Sequence, residues 1–474
     1  MVFPILGANT EAAAYDVSNS IRWRPAGNGQ MSQGNGTPTS QKIWTWSAWV
    51  KTAKNFIVNA ETTLYSASGS GGNGANITFS NNALKFQSDS GSSGTDFGVF
   101  AGNPARQFRD PSAWYHIVCA MDSTQGTAAN RNRIYVNGVE QTLLSGQTNA
   151  TQNDDYDFCS NRDSAIGKNI TSDGNYFDGY MSEIHLIDGQ QLTASDFGKF
   201  EATSGVWVPI EYKGTFGNNG WYIPGSSNTA DSSGNGNNFG QSNTVVTTDT
   251  PTNNFCVLNP LNMRPTSALP TYSEGNLKVT SGNVNQNNSV CGTIAGLKSG
   301  KWYFEVKMTT IGGTGTMRVG IEDTDSHARD GAWNDFASYY AVNGTYNRGS
   351  TVITSSLTAV SAGDIISTAF DLDNGAIYFA VNGTWQTSGD PTSGASKTGA
   401  AFTDILSGMP VDGYMPVWVQ LGHLTQEVVE ANFGNPPFSI SSGNADDNGY
   451  GNFEYDVPSG YYAICSKNLA EQGG

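Results

Sequence analysis

GDIISTAFDLDNGAIYFAVNGTW, from Gly363 to Trp385, holds two short apolar runs, Asp364 to Asp371 and Ala376 to Val381, each followed by an Asn-Gly pair. The runs alternate with a period of two, which fits a pleated strand. Asn374-Gly375 and Asn382-Gly383 supply residues that tolerate positive φ at both central positions, as a two-residue type I′ hairpin requires. Lys301 to Met308 (KWYFEVKM), Met317 to Ile321 (MRVGI) and Val417 to Leu421 (VWVQL) repeat the alternation. An antiparallel β unit is expected here.

The same signal runs through the N-terminal half. From Lys42 to Lys51, Trp44, Trp46, Ala48 and Val50 fall on one face and Thr45, Ser47 and Trp49 on the other, predicting a half-buried strand. Trp114 to Met121, Arg133 to Val139 and Tyr180 to Asp188 follow suit, with Asn137-Gly138 as a hairpin turn. Only Leu192 to Phe200 reads as a short helix, with Thr193 or Ser195 as its cap. Between the halves, Pro224 to Asn254 is nearly devoid of bulky residues and reads as a domain boundary or loop-rich connection. The expected fold class is all-β, two antiparallel β-sandwiches in tandem, because one open sheet rarely grows so wide. The expected division is an attachment segment over 1–20, a sandwich over 21–223, a connection over 224–260 and a second sandwich with a C-terminal extension over 261–474.

Composition agrees. The chain has 474 residues, of which 14% are charged, against about 25% in ordinary domains. Long helices and coiled coils are excluded on that ground. Aromatics at 11% supply enough bulky apolar surface for cores, which separates the chain from disordered Gly/Ser-rich polymers. With 24 basic and 41 acidic residues the net charge is −17, and no basic cluster is available to neutralise phosphates, so nucleic acid is not an expected partner. Cys119, Cys159, Cys256, Cys291 and Cys465 are odd in number and widely spaced, and read as buried residues of a protein made in a reducing cytoplasm. MVFPILGANTEAAAYDVS has no basic n-region, and no stretch of eighteen apolar residues occurs, so neither export nor membrane insertion is expected.

Two stretches resemble known families. DPSAWYHIVCAMDSTQGTAANRNRIYVNGVE (Asp110 to Glu140) and the run from Ile166 to Phe197 resemble the concanavalin A-like, laminin-G type of lectin sandwich, through Trp114 to His116, Tyr135 to Gly138 and Phe177 to Gly179. The likeness covers roughly residues 20 to 223. WYIPGSSNTADSSGNGNNF (Trp221 to Phe239) resembles the segment that usually opens such a domain, yet comes last, which is what a circular permutation would look like; it requires neighbouring ends. Residues 300 to 438 resemble a SPRY domain through SGKWYFEVKM, the hairpin above, PVWVQL and ANFG. The ordered pair, with FRDPSAWYH upstream and TDTPTNNFCVLNPL between, resembles structural proteins of marine tailed bacteriophages. That likeness implies a virion component made in the host cytoplasm, with other virion proteins and further copies of itself as partners. Residues 1–20, apolar and Ala-rich, are expected to dock on such a partner.

No catalytic residues emerge. Glucanases on the lectin-type fold carry two catalytic Glu residues a few positions apart, whereas Glu183 and Glu305 stand alone in their strands. His116 and His185 lie inside strand patterns and read as hydrogen-bonded sheet histidines, leaving His327 and His423 as the others. No Gly-x-Ser-x-Gly elbow is present. Calcium is the one cofactor the sequence raises. Asn444, Asp446 and Asn448 have the spacing of the first half of a calcium loop, although Glu454 falls one position early, and Asp154, Asp155 and Asp157 form a second cluster. Surface turns use the same residues.

Saccharide binding needs aromatic faces beside planar amides and carboxylates. The loop HARDGAWNDFASYY, His327 to Tyr340, gathers Trp333, Asn334, Asp335, Tyr339 and Tyr340, with the alternative that Trp333 and a tyrosine fill the sandwich end. The functional expectation is a fibre or spike adhesin that binds host-surface glycan without catalysis. Capsid or head-fibre decoration is the alternative, and a polysaccharide depolymerase the third.

Overall fold

The computed structural model describes residues 15–24, 27–53, 61–69, 74–88, 97–263, 269–282, 288–312, 316–323, 337–340, 343–348, 351–407, 412–421 and 426–472. They form two compact units, one ending at Thr252 and the other beginning at Asn253. Each is built on an antiparallel sandwich of two sheets, to which the first unit adds the strand pair Gly198–Phe200 and Trp207–Pro209 and the second one short parallel pairing.

In the first unit one sheet runs Val139–Glu140, Asn132–Val136, Tyr115–Asp122, Ile43–Thr52, Gly179–Asp188, Ser20–Trp23 and Thr244–Thr247, with Trp221–Ile223 also on Gly179–Asp188. The other runs Gly240–Ser242, Gln30–Gly34, Asp163–Ile166, Glu61–Ser68, Gly74–Ser80, Ala83–Ser88 and Phe97–Phe100. Trp44, Trp46, Ala48 and Val50 enter the core between the sheets, where Trp44 stacks on Phe158 at 4.1 Å. The opposite face of Ile43–Thr52 is also buried, not half exposed. After Asp188 the chain folds back over that face, and Trp49 packs with Phe197 and Trp207 in a second apolar cluster. This covering segment contains the expected helix only as a single 3₁₀ turn, Ala194–Asp196. The Asp196 carboxylate accepts the Thr193 N–H at 2.9 Å, and the chain then enters the strand Gly198–Phe200.

The Gly/Asn/Ser-rich stretch is not a connection. Gly240–Ser242 pairs with Gln30–Gly34, and Thr244–Thr247 pairs with Ser20–Trp23, so the last strand of the unit lies beside the first, as a permuted sandwich requires. What orders so polar a segment is side-chain hydrogen bonding to its own backbone. The Asp231 carboxylate accepts the N–H groups of Tyr222, Ser233 and Asn237 at 2.8–2.9 Å. The start of the chain is corrected likewise. Residues 1–14 lie outside the described residues, but 15–20 belong to this sandwich: Val17 N–H donates to Thr252 Oγ1 at 3.1 Å and Ser182 Oγ to the Asn19 carbonyl at 2.6 Å.

In the second unit one sheet runs Leu258–Met263, Asn288–Gly292, Tyr414–Leu421, Thr316–Asp323, Ala337–Tyr340, Thr345–Arg348 and Thr351–Thr354. The other runs Thr271–Ser273, Lys278–Thr280, Val428–Asn432, Lys301–Thr310, Ile365–Asp371, Ala376–Val381 and Thr384–Trp385, and Tyr462–Ala463 pairs parallel to Lys301–Thr310. Asn382-Gly383 has φ of +48° and +75°, the expected type I′ signature. The other turn differs. Gly375 N–H reaches the Asp371 carbonyl at 2.8 Å and the Asp371 carboxylate accepts Asp373 and Asn374 N–H, which closes a four-residue loop instead of a two-residue one. All five cysteines are buried, and none is in a disulfide.

Phe255, Cys256, Val257 and Leu258 are all core residues of the second unit. A fragment spanning 253–474 is therefore expected to melt as one cooperative β unit by circular dichroism, and one starting at 261 to aggregate. Equal melting of the two fragments would count against this boundary.

Candidate functional site

The expected calcium loop is spent on structure. Asp446 Oδ1 accepts the N–H groups of Asn448 and Tyr450 at 3.0 and 2.9 Å, while Oδ2 accepts Ala463 N–H at 2.9 Å and Asn468 Nδ2 at 2.7 Å. Asn448 Nδ2 donates to Asn468 and Glu471, and Asn444 Nδ2 to Ser442 and the Glu454 carbonyl. A carboxylate with four N–H donors aimed at it presents no open oxygen face to a cation. Among the described residues no group of three His, Cys, Asp or Glu side chains is placed to hold a metal. In the second acidic cluster, Asp155 pairs with Lys42 at 3.5 Å.

Of the aromatic loop, Trp333, Asn334 and Asp335 lie outside the described residues. Tyr339 is no surface residue. It is 0% exposed, packs on Tyr346 and Phe379, and donates its hydroxyl to the Thr358 carbonyl. Its inward place follows from strand alternation, which Ala337–Tyr340 obeys as part of a sheet facing the core. Tyr340 belongs to the same strand, in register with Arg318 and Thr345.

The isolated titratable groups of the strands are also accounted for. His116 accepts the Trp207 indole N–H at Nδ1 (3.1 Å) and bonds Ser47 through Nε2 (2.9 Å), and burial holds its pKa down to about 3. It is a neutral sheet histidine, as is His185, stacked on Tyr222 at 4.4 Å. Glu305 accepts from Glu454 N–H, Tyr455 N–H, Asn432 Nδ2 and Tyr303 Oη, and so ties the C-terminal segment to its sheet.

Glu183 is different. Gly179–Asp188 pairs along one edge first with Ser20–Trp23 and then with Trp221–Ile223, and the register with Ile43–Thr52 shifts between Ser182 and His185. Glu183 sits on this bulge at φ +51° and is buried where those two neighbouring strands meet. Tyr15 Oη donates to it at 2.8 Å and Tyr222 Oη at 2.8–2.9 Å, while burial pushes its pKa up to about 7.

An open cleft lies at one edge of the first sandwich. There Val139–Glu140 ends one sheet and Phe97–Phe100 the other, and residues 141–150 cross between them, bridging at Leu143 to Ala101 and at Thr148 to Gly98. Beneath this crossing is a cavity of about 420 Å³. Val99, Leu143 and Leu144 give it an apolar side; Asn132, Gln141, Thr142, Ser145, Gln147 and Asn149 give it amides and hydroxyls. Glu140 is its one charged lining side chain, paired with Arg133 at 3.4 Å. Asn132, 1% exposed, accepts Ala150 N–H at Oδ1 (2.8 Å), but its Nδ2 has no partner, and neither has the buried Oδ1 of Asn149. The sequence signal for this site is faint: QTLLSGQTN, Gln141 to Asn149, has the same turn-loving composition as every other connection of the chain.

Residues 25–196 match the Laminin_G_3 family model, the concanavalin A-like lectin/glucanases superfamily, and residues 301–405 match the SPRY domain model. No curated protein matches the chain. Among solved structures, the SPRY domain of human HERC1 is similar at 17% identity, covering 37% of this chain and 96% of that one, with a TM-score of 0.29. Mouse laminin alpha1 chain domains LG4-5 align at 10% identity over 90% of this chain and 92% of that one, with a TM-score of 0.30. A heptameric SAP-like pentraxin from Limulus polyphemus aligns at 13% identity over 49% and 96%, with a TM-score of 0.31. With the two sandwiches described above, the family matches identify a concanavalin A-like domain followed by a SPRY domain.

Proposed function

We propose that this chain is a bacteriophage virion protein, a fibre or spike component that binds a host-surface glycan and leaves it chemically unchanged. The observation that carries the glycan reading is the edge cleft, whose lining of neutral amides and hydroxyls beside an apolar wall suits sugar hydroxyls and C–H surface. Support for binding without chemistry comes from Glu305, His116 and His185, each held in a structural hydrogen bond. The virion reading rests on the resemblance of the ordered domain pair to phage structural proteins, and copies of the chain and other virion proteins are its proposed partners.

Gold-labelled antibody against the chain is expected to mark the tail of purified particles of a phage encoding it. Marking of the capsid faces would instead select head decoration, and unmarked particles would end the virion reading. Incubation of purified protein with host capsule is expected to release no reducing ends; release would make it a depolymerase.

A further inference from the structure

We propose that the edge cleft of the first sandwich is selective for a neutral saccharide, which it reads through Asn132 and Asn149. The inference rests on the glycan reading above and adds the class of sugar and the residues that recognise it. A volume of about 420 Å³ falls within the ~300–1,000 Å³ of small-ligand sites. Its charge excludes an anionic guest. Glu140 is the only ionisable side chain in the lining, Arg133 beside it is engaged by that carboxylate, and the whole chain carries −17. A uronate or sulfate entering here would be desolvated next to a carboxylate with no cation to receive it.

The two asparagines point to hydroxyl recognition. A buried polar atom without a partner costs stability, and such atoms persist where a ligand or ordered water completes them. Here one unpaired atom is a donor, Asn132 Nδ2, and the other an acceptor, Asn149 Oδ1. A sugar hydroxyl offers both functions from one oxygen. The backbone brings the two residues together, because the N–H of Ala150, next after Asn149, donates to Asn132 Oδ1. Val99 and Leu143 supply the apolar surface that a sugar ring's C–H face covers.

The full chain is to be titrated calorimetrically with maltopentaose, cellopentaose and mannopentaose as neutral probes, and with oligogalacturonate and a heparin hexasaccharide as anionic ones. At least one neutral probe is expected to bind, and both anionic probes to bind about tenfold or more weakly. Asn132→Asp keeps the acceptor for Ala150 and removes the orphaned donor; Asn149→Ala removes the orphaned acceptor. Each is expected to weaken the neutral probe about tenfold, the scale of one hydrogen bond, and Asn149→Ala to do so with an unchanged melting curve. Should Asn132→Asp destabilise the unit, Asn149→Ala decides alone. Equal or tighter binding of the anionic probes overturns the neutral class while leaving the glycan reading standing. Wild-type affinity in both variants means that water completes the amides, and overturns the site. Loss of binding in Trp333→Ala alone moves recognition to the second sandwich, and binding of no probe by the wild type removes this inference together with the glycan reading.

Discussion

Asp249→Ala is expected to destabilise the first sandwich by about 3–5 kcal/mol, the usual cost of removing one partner from a buried ion pair. Lys51 Nζ and Asp249 Oδ2 lie 2.7 Å apart with both side chains 0% exposed. The Trp114 indole N–H donates to Asp249 Oδ1 at 3.2 Å, and Ser20 Oγ donates to its backbone carbonyl at 2.5 Å, so this residue, just past Thr244–Thr247, ties the strands Ser20–Trp23 and Ile43–Thr52 to the end of the unit. With the carboxylate gone, the ammonium stays buried and loses this anion, with the Tyr180 ring 5.5 Å away. For a unit of this size the loss amounts to about 10 °C in melting temperature. Differential scanning calorimetry should show the drop in one transition and leave the transition of the 253–474 unit in place. Lys51→Met combined with Asp249→Leu should recover most of the loss, because apolar replacement of both partners removes the desolvation problem. A single variant that melts like the wild type would show that residue 249 does not belong to this core.

Glu183→Gln is expected to remove a loss of stability that Glu183 contributes to the first sandwich between about pH 4.5 and 7. Burial raises the folded-state pKa of Glu183 from 4.5 to about 7, ahead of the opposing donation from Tyr15 and Tyr222, and Glu211 adds a like charge. Across that window the folded chain holds a proton that the unfolded chain has released. The Glu183 contribution is therefore full below pH 4.5, falls as pH rises, and levels off above 7. The contribution amounts to about 2.5 orders of magnitude in the folding equilibrium, roughly 3 kcal/mol. His185, beside Tyr222, and His116 have their pKa lowered from 6.5 to about 3 by burial, so between those values the unfolded chain holds protons that the folded chain lacks, and both contribute a slope of the opposite sign that wild type and variant share. Guanidinium midpoints of the first transition, measured from pH 4 to 8, should show the Gln variant gaining on the wild type from about pH 4.5 to 7, because the histidine contribution cancels in that difference. Tyr15→Phe removes a donor to the charged form and should carry the slope to higher pH. A difference between variant and wild type that does not change with pH would overturn the assignment to Glu183.

The features legible in the sequence are those set by neighbouring residues. Strand alternation depends only on successive side chains pointing to opposite faces, so Trp44, Trp46, Ala48 and Val50 declare their common side without knowledge of the partner sheet. Asn137-Gly138 and Asn382-Gly383 declare their turns because positive φ is a property of the residue itself. Thr193 likewise marks a local start, although the helix it opens is one turn long. From such signals the all-β class, the tandem order and the buried histidines all follow.

Whatever depended on residues distant in the chain was beyond that reading. Gly240–Ser242 looks like linker because its strand character comes from a partner about two hundred residues earlier, not from its own side chains, and the four β-branched residues of Thr244–Thr247 are too short a run to stand out from the polar stretch around them. Asp446 has metal-loop spacing, but whether its oxygens meet a cation or four N–H groups depends on Ala463 and Asn468 folding back upon it. Tyr339 belongs to an aromatic loop by composition and to the core by the face its strand presents. The edge cleft shares no motif, since Val99 and Asn149 reach it from different sheets and crossings. Composition and period thus determined what this protein is made of, while the long-range pairing of strands, which alone sets which polar atoms are satisfied, decided where it has anything left to bind with.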